Sequence, residues 1–111
     1  MMIDINSDMG EGFGPYSIAD DAALMQLISS ANVACGYHAG DPVIMDRTIR
    51  LAKEHGVDLG AHVSYPDLMG FGRRRIDMAL PELECHILYQ LGALDGLARR
   101  AGHRITHVNP H

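Results

Sequence analysis

A chain of 111 residues with 47% hydrophobic and 21% charged residues has the composition of one globular domain, which excludes disordered and collagen-like proteins. The formal net charge is −5 and the sequence has no Trp, so a basic, aromatic surface for nucleic acid is also excluded. No apolar run approaches the roughly 20 residues of a membrane span and no signal-peptide pattern opens the sequence, so we expect a cytoplasmic protein without membrane contact.

The first part of the chain predicts a strand and then a helix. Residues 3–8 alternate β-branched and polar side chains with a period of two, which is typical of a strand. Apolar side chains then recur every three to four positions over residues 18–30, and Ser17 precedes them as a candidate N-cap. We therefore expect a helix over residues 18–30.

The middle of the chain repeats this order. Residues 31–36 form a short apolar run that predicts a buried strand, and residues 44–55 predict a second helix. Asp41 and Pro42 provide an N-cap and a first-turn proline for this helix. Gly56 is expected to end it.

A third strand, a long loop, a third helix and a fourth strand follow. Residues 57–62 predict the third strand, and a loop rich in Tyr, Pro, Asp and Gly extends to Asp77. A helix of about 20 residues begins at Pro81 and ends at Gly102. Residues 104–108 predict the last strand. Strands that alternate with helices predict an α/β fold of parallel βαβ units, here in a single domain over residues 1–111.

Ionisable side chains follow each of the four predicted strands. In a parallel sheet the carboxyl ends of the strands meet at one edge, where sites form. Small residues precede His38 and His62 on the same strand face, which leaves space in front of the sheet. We therefore expect one shared site, whereas any single histidine would be explained as a hydrogen-bonded loop residue. The residues at these strand ends are Asp8, Glu11, His38, Asp41, His62, Asp67, His107 and His111.

The other histidines and the two cysteines have simpler explanations. His55 and His103 flank glycines that end helices and His86 lies within a helix, so we assign no function to these three. Cys35 and Cys85 lie in apolar segments without a Cys-x-x-Cys spacing. This pattern predicts reduced, buried thiols.

Residues 73–75 are three consecutive arginines in an acidic protein. One explanation is a solvated turn whose charges pair with nearby carboxylates. The alternative is anion binding, because an arginine fork holds a carboxylate or phosphate with two hydrogen bonds. The three glycines between positions 10 and 14 form only a weak nucleotide-binding motif, since no Gly-Lys-Ser/Thr follows and Pro15 interrupts it.

Several sequence strings together resemble one protein family. They are NSDMGE at 6–11, ANVACGYHAGDP at 31–42, GAHVSYPD at 60–67, GFGRR at 70–74 and THV at 106–108. In this order they closely resemble the LamB/YcsF family, the A subunits of 5-oxoprolinase, from residue 3 to residue 111. The string ANxACGxHAGDP is the most specific of them.

The resemblance implies a fold and an activity. The fold is a distorted (β/α) barrel of the glycoside hydrolase and deacetylase type, of which the predicted βαβ units form about half. The activity is cleavage of 5-oxoproline to glutamate with ATP as co-substrate, together with Mg, in a complex with subunits B and C. Asn109 stands where the family has Lys. Members of the family are about twice as long as this chain, which would then be the first half of such a barrel. We therefore expect a domain that is incomplete at its C-terminus, associates through its last strand and does not turn over 5-oxoproline by itself.

The strand-end pattern and the resemblance together assign roles to residues, with a histidine of pKa near 7 as a suitable general base. The assigned catalytic residues are Asp8, Glu11, His38, His62 and His111. The assigned substrate-binding residues are Asn6, Asp41, Tyr65, Asp67, Arg73 and Arg74. A metal-dependent amide hydrolase like the deacetylases is an alternative, because Asp8, His38 and His62 would form an open three-ligand site for a divalent ion. A non-catalytic binding or assembly fragment is a further alternative.

Overall fold

Four parallel strands form one sheet in the order β1-β2-β3-β4. The computed structural model describes residues 2–111. The strands are β1 (Asn6–Met9), β2 (Ser30–Ala34), β3 (Asp58–His62) and β4 (Ile105–Val108). The helices are α1 (Asp21–Leu24), α2 (Pro42–Glu54) and α3 (Leu80–Ala101). The α/β fold with a parallel sheet, predicted from the sequence, is confirmed.

The two faces of the sheet differ in chemistry. Val33 and Leu59, at odd positions of β2 and β3, are fully buried and belong to the hydrophobic core, together with Ile49 of α2 and Leu94 of α3. Asn32, at an even position, bonds to polar groups of the other strands. Side chains alternate along a strand, so the strands that build the core also present polar groups on the opposite face.

The two long helices begin and end where the sequence predicts. The Asp41 carboxylate accepts hydrogen bonds from the N–H groups of Val43 and Ile44, and Pro42 opens α2. Gly102 ends α3 in the left-handed conformation with φ 76°. No helix within residues 2–111 combines the length and the apolarity needed to cross a membrane.

The predicted helix over residues 18–30 is wrong in extent, because only α1, Asp21–Leu24, is helical. Asp20, not Ser17, is the N-cap, with its carboxylate accepting from the N–H of Ala23. The N–H groups of Ser29 and Ser30 bond to the carbonyl of Ile5. The chain must therefore become extended before residue 30, and this long-range pairing outweighs the helical periodicity.

Two further expectations about burial and strand length are corrected. β1 begins at Asn6, where its pairing with Ser30 starts, and not at Ile3, which is 75% exposed. Cys35 is buried, as predicted, whereas Cys85 is exposed on α3. Its neighbours on that part of the helix surface face solvent as well, so the apolar stretch around it does not form core.

A buried glutamine on α3 forms hydrogen bonds with the backbone just after β3. The side-chain oxygen of Gln90 accepts from the N–H of Ser64 at 2.9 Å. Its nitrogen donates to the carbonyls of Ser64 and His86, both at 3.0 Å. The buried amide is thus satisfied by backbone groups, two of them at Ser64, where the long loop starts, and one at His86 within α3.

Candidate active site

Four side chains from the carboxyl ends of the four strands meet on the polar side of the sheet. Glu11 follows β1, His38 follows β2, His62 ends β3 and His111 follows β4. One potential ligand atom from each lies within 4.8 Å of all the others. We refer to these four residues as the histidine–carboxylate cluster.

His38 holds Glu11 in place through a buried hydrogen bond. The Nε2 atom of His38 lies 2.6 Å from Oε2 of Glu11, and the His38 side chain is fully buried. A carboxylate oxygen only accepts, so Nε2 carries the proton. The His38 ring also stacks on His111, with ring centroids 3.8 Å apart. Glu11 is therefore fixed with its carboxylate next to the other histidines of the cluster.

Backbone carbonyls fix the rings of His62 and His111. Nδ1 of His62 lies 2.5 Å from the carbonyl oxygen of Asn109, and Nε2 of His111 lies 2.7 Å from that of Phe71. A carbonyl oxygen only accepts, so each of these nitrogens carries a proton. Burial lowers the pKa of His111, which favours its neutral ring near pH 7. The other nitrogens of the two rings, Nε2 of His62 and Nδ1 of His111, lie 3.2 Å from each other.

Asp8 lies beside the cluster and is more accessible than the Glu11 carboxylate. Its Oδ2 atom is 3.5 Å from Nε2 of His62, and its side chain is 44% exposed. The buried amide of Asn32 donates to Oδ1 of Asp8 at 3.2 Å and to Asn6 at 3.1 Å. His107 donates to the oxygen of Asn32 at 3.0 Å. Asn32 thus orients Asp8, a role that sequence reasoning missed although an amide inside the otherwise apolar run 31–35 was a usable signal.

His107 is separate from the cluster, although the sequence placed it among the strand-end residues. It pairs with Gly60 across β3 and β4, and its ring occupies the space that a side chain at Gly60 would fill. The small residue predicted to leave room for a ligand therefore leaves room for this ring. His107 serves the Asn32 network and not the cluster.

A cavity of about 380 Å³ opens next to the cluster. Its inner wall carries Glu11 and His38, and the rest is largely apolar. The lining residues are Glu11, Phe13, Ile18, His38, Ala39, Leu68 and Phe71. A larger cavity of about 590 Å³ lies around Asp4 and Asp58, on the side of the sheet away from the strands' carboxyl ends, and contains none of the four cluster residues. The 380 Å³ cavity is therefore the candidate ligand pocket, because it adjoins the histidine–carboxylate cluster, although it is smaller than the other cavity.

The residues expected to bind substrate occupy different environments. Arg73 is exposed and near enough to His111 for its charge to add to the lowering of the pKa of that ring by burial. Tyr65 is 37% exposed in the loop after β3. Asn6 lies in the network around Asn32. The Asp41 carboxylate caps α2 and accepts from the N–H of Gly14, so its observed role is structural.

Asp67 and Arg74 form an ion pair inside the long loop. The buried Asp67 carboxylate accepts from the Arg74 guanidinium and from the N–H of Gly70. The hydrogen bond from Arg74, more than any other contact, lowers the pKa of Asp67 to about 2. The guanidinium of Arg74 is thus already bonded to a carboxylate, and the solvated-turn explanation fits it better than anion capture.

This ion pair gives an expected pH dependence of stability. The pKa of Asp67 is about 2 in the folded chain against an ordinary 3.8, so its contribution is fully present above about pH 4 and is lost as the pH falls towards 2. Urea unfolding of the wild type and of Asp67→Asn between pH 2 and pH 7 measures it. The variant should be less stable at pH 7 and should lose less stability below pH 4. Asp58→Asn, an exposed position, is the control, and equal pH profiles for all three proteins would contradict the assignment.

Parallel strands whose carboxyl ends hold histidines and carboxylates beside a cavity are the arrangement of β/α-barrel enzymes. The model of the LamB/YcsF family matches residues 3–111, and the chain belongs to that family. The resemblance seen in the sequence motifs is thereby confirmed.

Similar proteins extend this result to named relatives. The chain is 66% identical to a 5-oxoprolinase A subunit of Bradyrhizobium diazoefficiens and 63% identical to one of Pseudomonas syringae pv. tomato. It is covered completely in both comparisons and spans 44% and 43% of those proteins. The crystal structure of the lactam utilization protein from Thermus thermophilus matches the whole chain with a TM-score of 0.97 at 44% identity, over 45% of its own length. The α/β fold of the chain therefore matches the corresponding part of that structure.

Proposed function

We propose that this chain carries active-site groups of an ATP-dependent 5-oxoprolinase, in the subunit that hydrolyses the lactam of 5-oxoproline to glutamate. The observation that supports it most is the meeting of Glu11, His38, His62 and His111 beside a cavity at the carboxyl ends of the strands. The relatives named above as 5-oxoprolinase subunits and as a lactam utilization protein supply the substrate class. Residues 1–111 act in this proposal as one folding unit.

The proposed reaction couples two hydrolyses. ATP transfers its γ-phosphoryl group to the lactam oxygen, which makes the ring carbon a better electrophile and releases ADP. Water then adds to that carbon and gives up a proton to a base, and the C–N bond breaks with protonation of the nitrogen, which leaves an acyl phosphate. A second water hydrolyses the acyl phosphate, which releases phosphate and yields glutamate. ATP with Mg acts as co-substrate, subunits B and C act as partners, and the cytoplasm supplies the nucleotide.

Within this reaction Asp8 is the best placed base. Its carboxylate is accessible to water, is oriented by Asn32 and lies beside His62. The apolar walls at Phe13 and Phe71 suit the methylene groups of a five-membered ring. Arg73, exposed near His111, is placed to hold the carboxylate of the substrate or the transferred phosphate.

The test is turnover by the protein together with subunits B and C. Asp8→Asn keeps the shape and the hydrogen bond from Asn32 but removes the base, so glutamate release should fall by roughly 10²–10⁴-fold with an unchanged circular dichroism spectrum. Asp58→Asn is the matched control and should keep normal activity.

Normal turnover by Asp8→Asn would contradict the role of Asp8. A wild-type complex that binds 5-oxoproline but releases neither glutamate nor phosphate would contradict the enzymatic function and favour a binding or assembly module.

A further inference from the structure

Two ring nitrogens face each other in the cluster. Each of the rings of His62 and His111 has one nitrogen committed as a donor to a backbone carbonyl. The remaining nitrogens, Nε2 of His62 and Nδ1 of His111, lie 3.2 Å apart. Two lone pairs cannot bond to each other, so these two nitrogens need either a shared proton or a metal ion between them.

The carboxylates around these nitrogens add to that need. Oε2 of Glu11 lies 3.8 Å from Nε2 of His62 and 4.0 Å from Nδ1 of His111. Oδ2 of Asp8 lies 3.5 Å from Nε2 of His62. Among residues 2–111, the groups within 4.0 Å of either carboxylate that can carry positive charge are histidines. Two carboxylates and two ring nitrogens thus converge without a lysine or arginine in contact.

We propose that Glu11, His62 and His111 bind one divalent transition-metal ion of the Zn²⁺ type. Bonds of about 2.0–2.1 Å in a tetrahedral site place neighbouring ligand atoms about 3.3 Å apart. The two nitrogens already have this spacing, and the carboxylate oxygen reaches it by moving less than an ångström. Three protein ligands leave a fourth position open, as in catalytic zinc sites.

His38 is a positioning residue for this ion and not a ligand. Its Nε2 atom is only 2.6 Å from Oε2 of Glu11, a hydrogen-bond distance that is too short for two ligands of one ion. A histidine that donates to a ligating carboxylate orients it, as supporting partners of metal ligands generally do. The geometry therefore favours Glu11, His62 and His111 over the set of Asp8, His38 and His62 suggested by residue types in the sequence.

The donor set also selects the kind of ion. Two imidazoles and one carboxylate suit Zn²⁺ and its neighbours among the transition metals, whereas Mg²⁺ prefers oxygen ligands. A bound ion of this kind would polarise a carbonyl and lower the pKa of a coordinated water. This inference deepens the proposed function and rests on it for its catalytic meaning, with Asp8 left outside the ligand set to accept a proton.

The test is metal binding by the protein after treatment with a chelator and dialysis. Titration calorimetry with Zn²⁺ and elemental analysis should give one ion per chain, and Co²⁺ should produce the visible absorption of a four-coordinate site. His62→Ala and His111→Ala should weaken binding at least 100-fold. His38→Gln should weaken it by roughly 10–100-fold, as expected for a supporting partner. His55→Ala, on the surface at the end of α2, is the matched control and should bind as the wild type.

Glu11→Gln serves if an alanine variant does not fold, because it removes the charge and keeps the shape. Failure of the wild type to bind Zn²⁺ or Co²⁺, or equal binding by every variant, would overturn the metal site. A proton shared by His62 and His111, detected by ¹⁵N NMR of the metal-free protein as a doubly protonated ring that persists when Zn²⁺ is added, would overturn it as well.

The metal site and the proposed function can each be contradicted without the other. Binding of the ion without 5-oxoproline turnover in the complete complex would overturn the proposed function and support the metal site. Turnover that survives chelation, in a protein that binds no ion, would support the function and overturn the metal site.

Discussion

Replacement of Gln90 by alanine should lower the free energy of unfolding by about 2–4 kcal/mol. The substitution removes three hydrogen bonds to backbone groups of Ser64 and His86 and leaves a cavity in the core. Buried N–H and C=O groups that lose their partners carry the full cost of desolvation. Urea unfolding followed by circular dichroism measures the change.

Gln26→Ala provides the control, since this glutamine is exposed just after α1. Its effect should stay within about 0.5 kcal/mol, as is usual for surface substitutions. A Gln90→Ala protein as stable as Gln26→Ala would show that water or a rearranged loop satisfies Ser64, contrary to the prediction.

Gly72→Ala should disrupt both the loop and the histidine–carboxylate cluster. Gly72 has φ 69°, a conformation that costs an L-residue about 1–2 kcal/mol. An added Cβ would also lie 2.8 Å from Cδ2 of His111 and 2.8 Å from Cβ of His38, and would contact the Ser64 hydroxyl still more closely. The side chains of His38 and His111 are buried and must move, so we expect the loss of stability to exceed the conformational cost alone and the His62–His111 geometry to change.

Gly56→Ala is the control that measures backbone strain without a steric clash of the added Cβ. Gly56 has φ 66° but nothing within 4 Å of an added Cβ, so it reports the conformational cost alone. Stability and the histidine resonances in NMR spectra should change more for Gly72→Ala than for Gly56→Ala. Equal destabilisation with unchanged histidine resonances would mean that the cluster tolerates the methyl group.

The elements that the sequence predicts well carry their own local signals. α2 has Asp41 and Pro42 at its start, and α3 has Gly102 at its end, so short-range capping and periodicity were sufficient. The segment 18–30 has helical periodicity too, yet it is helical only over Asp21–Leu24. There the decisive contacts are long-range, because Ser29 and Ser30 pair with the segment before β1.

The candidate site, too, is predicted from the sequence only in part. The strand-end rule is enough to bring Glu11, His38, His62 and His111 together as candidates, because parallel strands share one carboxyl edge. The rule does not specify which atoms meet. The hydrogen bond of His111 to the Phe71 carbonyl depends on the left-handed backbone of Phe71 with φ 54°. The ion pair between Arg74 and Asp67 likewise depends on the path of the loop, which no short-range pattern encodes.

The cluster joins segments that emerge from the ribosome at very different times. Its contacts bridge 27 residues between His38 and Glu11, 40 between His111 and Phe71, and 49 between His111 and His62. Contacts between such distant positions form late, after the cost of closing long loops has been met. During synthesis the cluster therefore stays incomplete until β4 has joined the sheet and brought His111 into place.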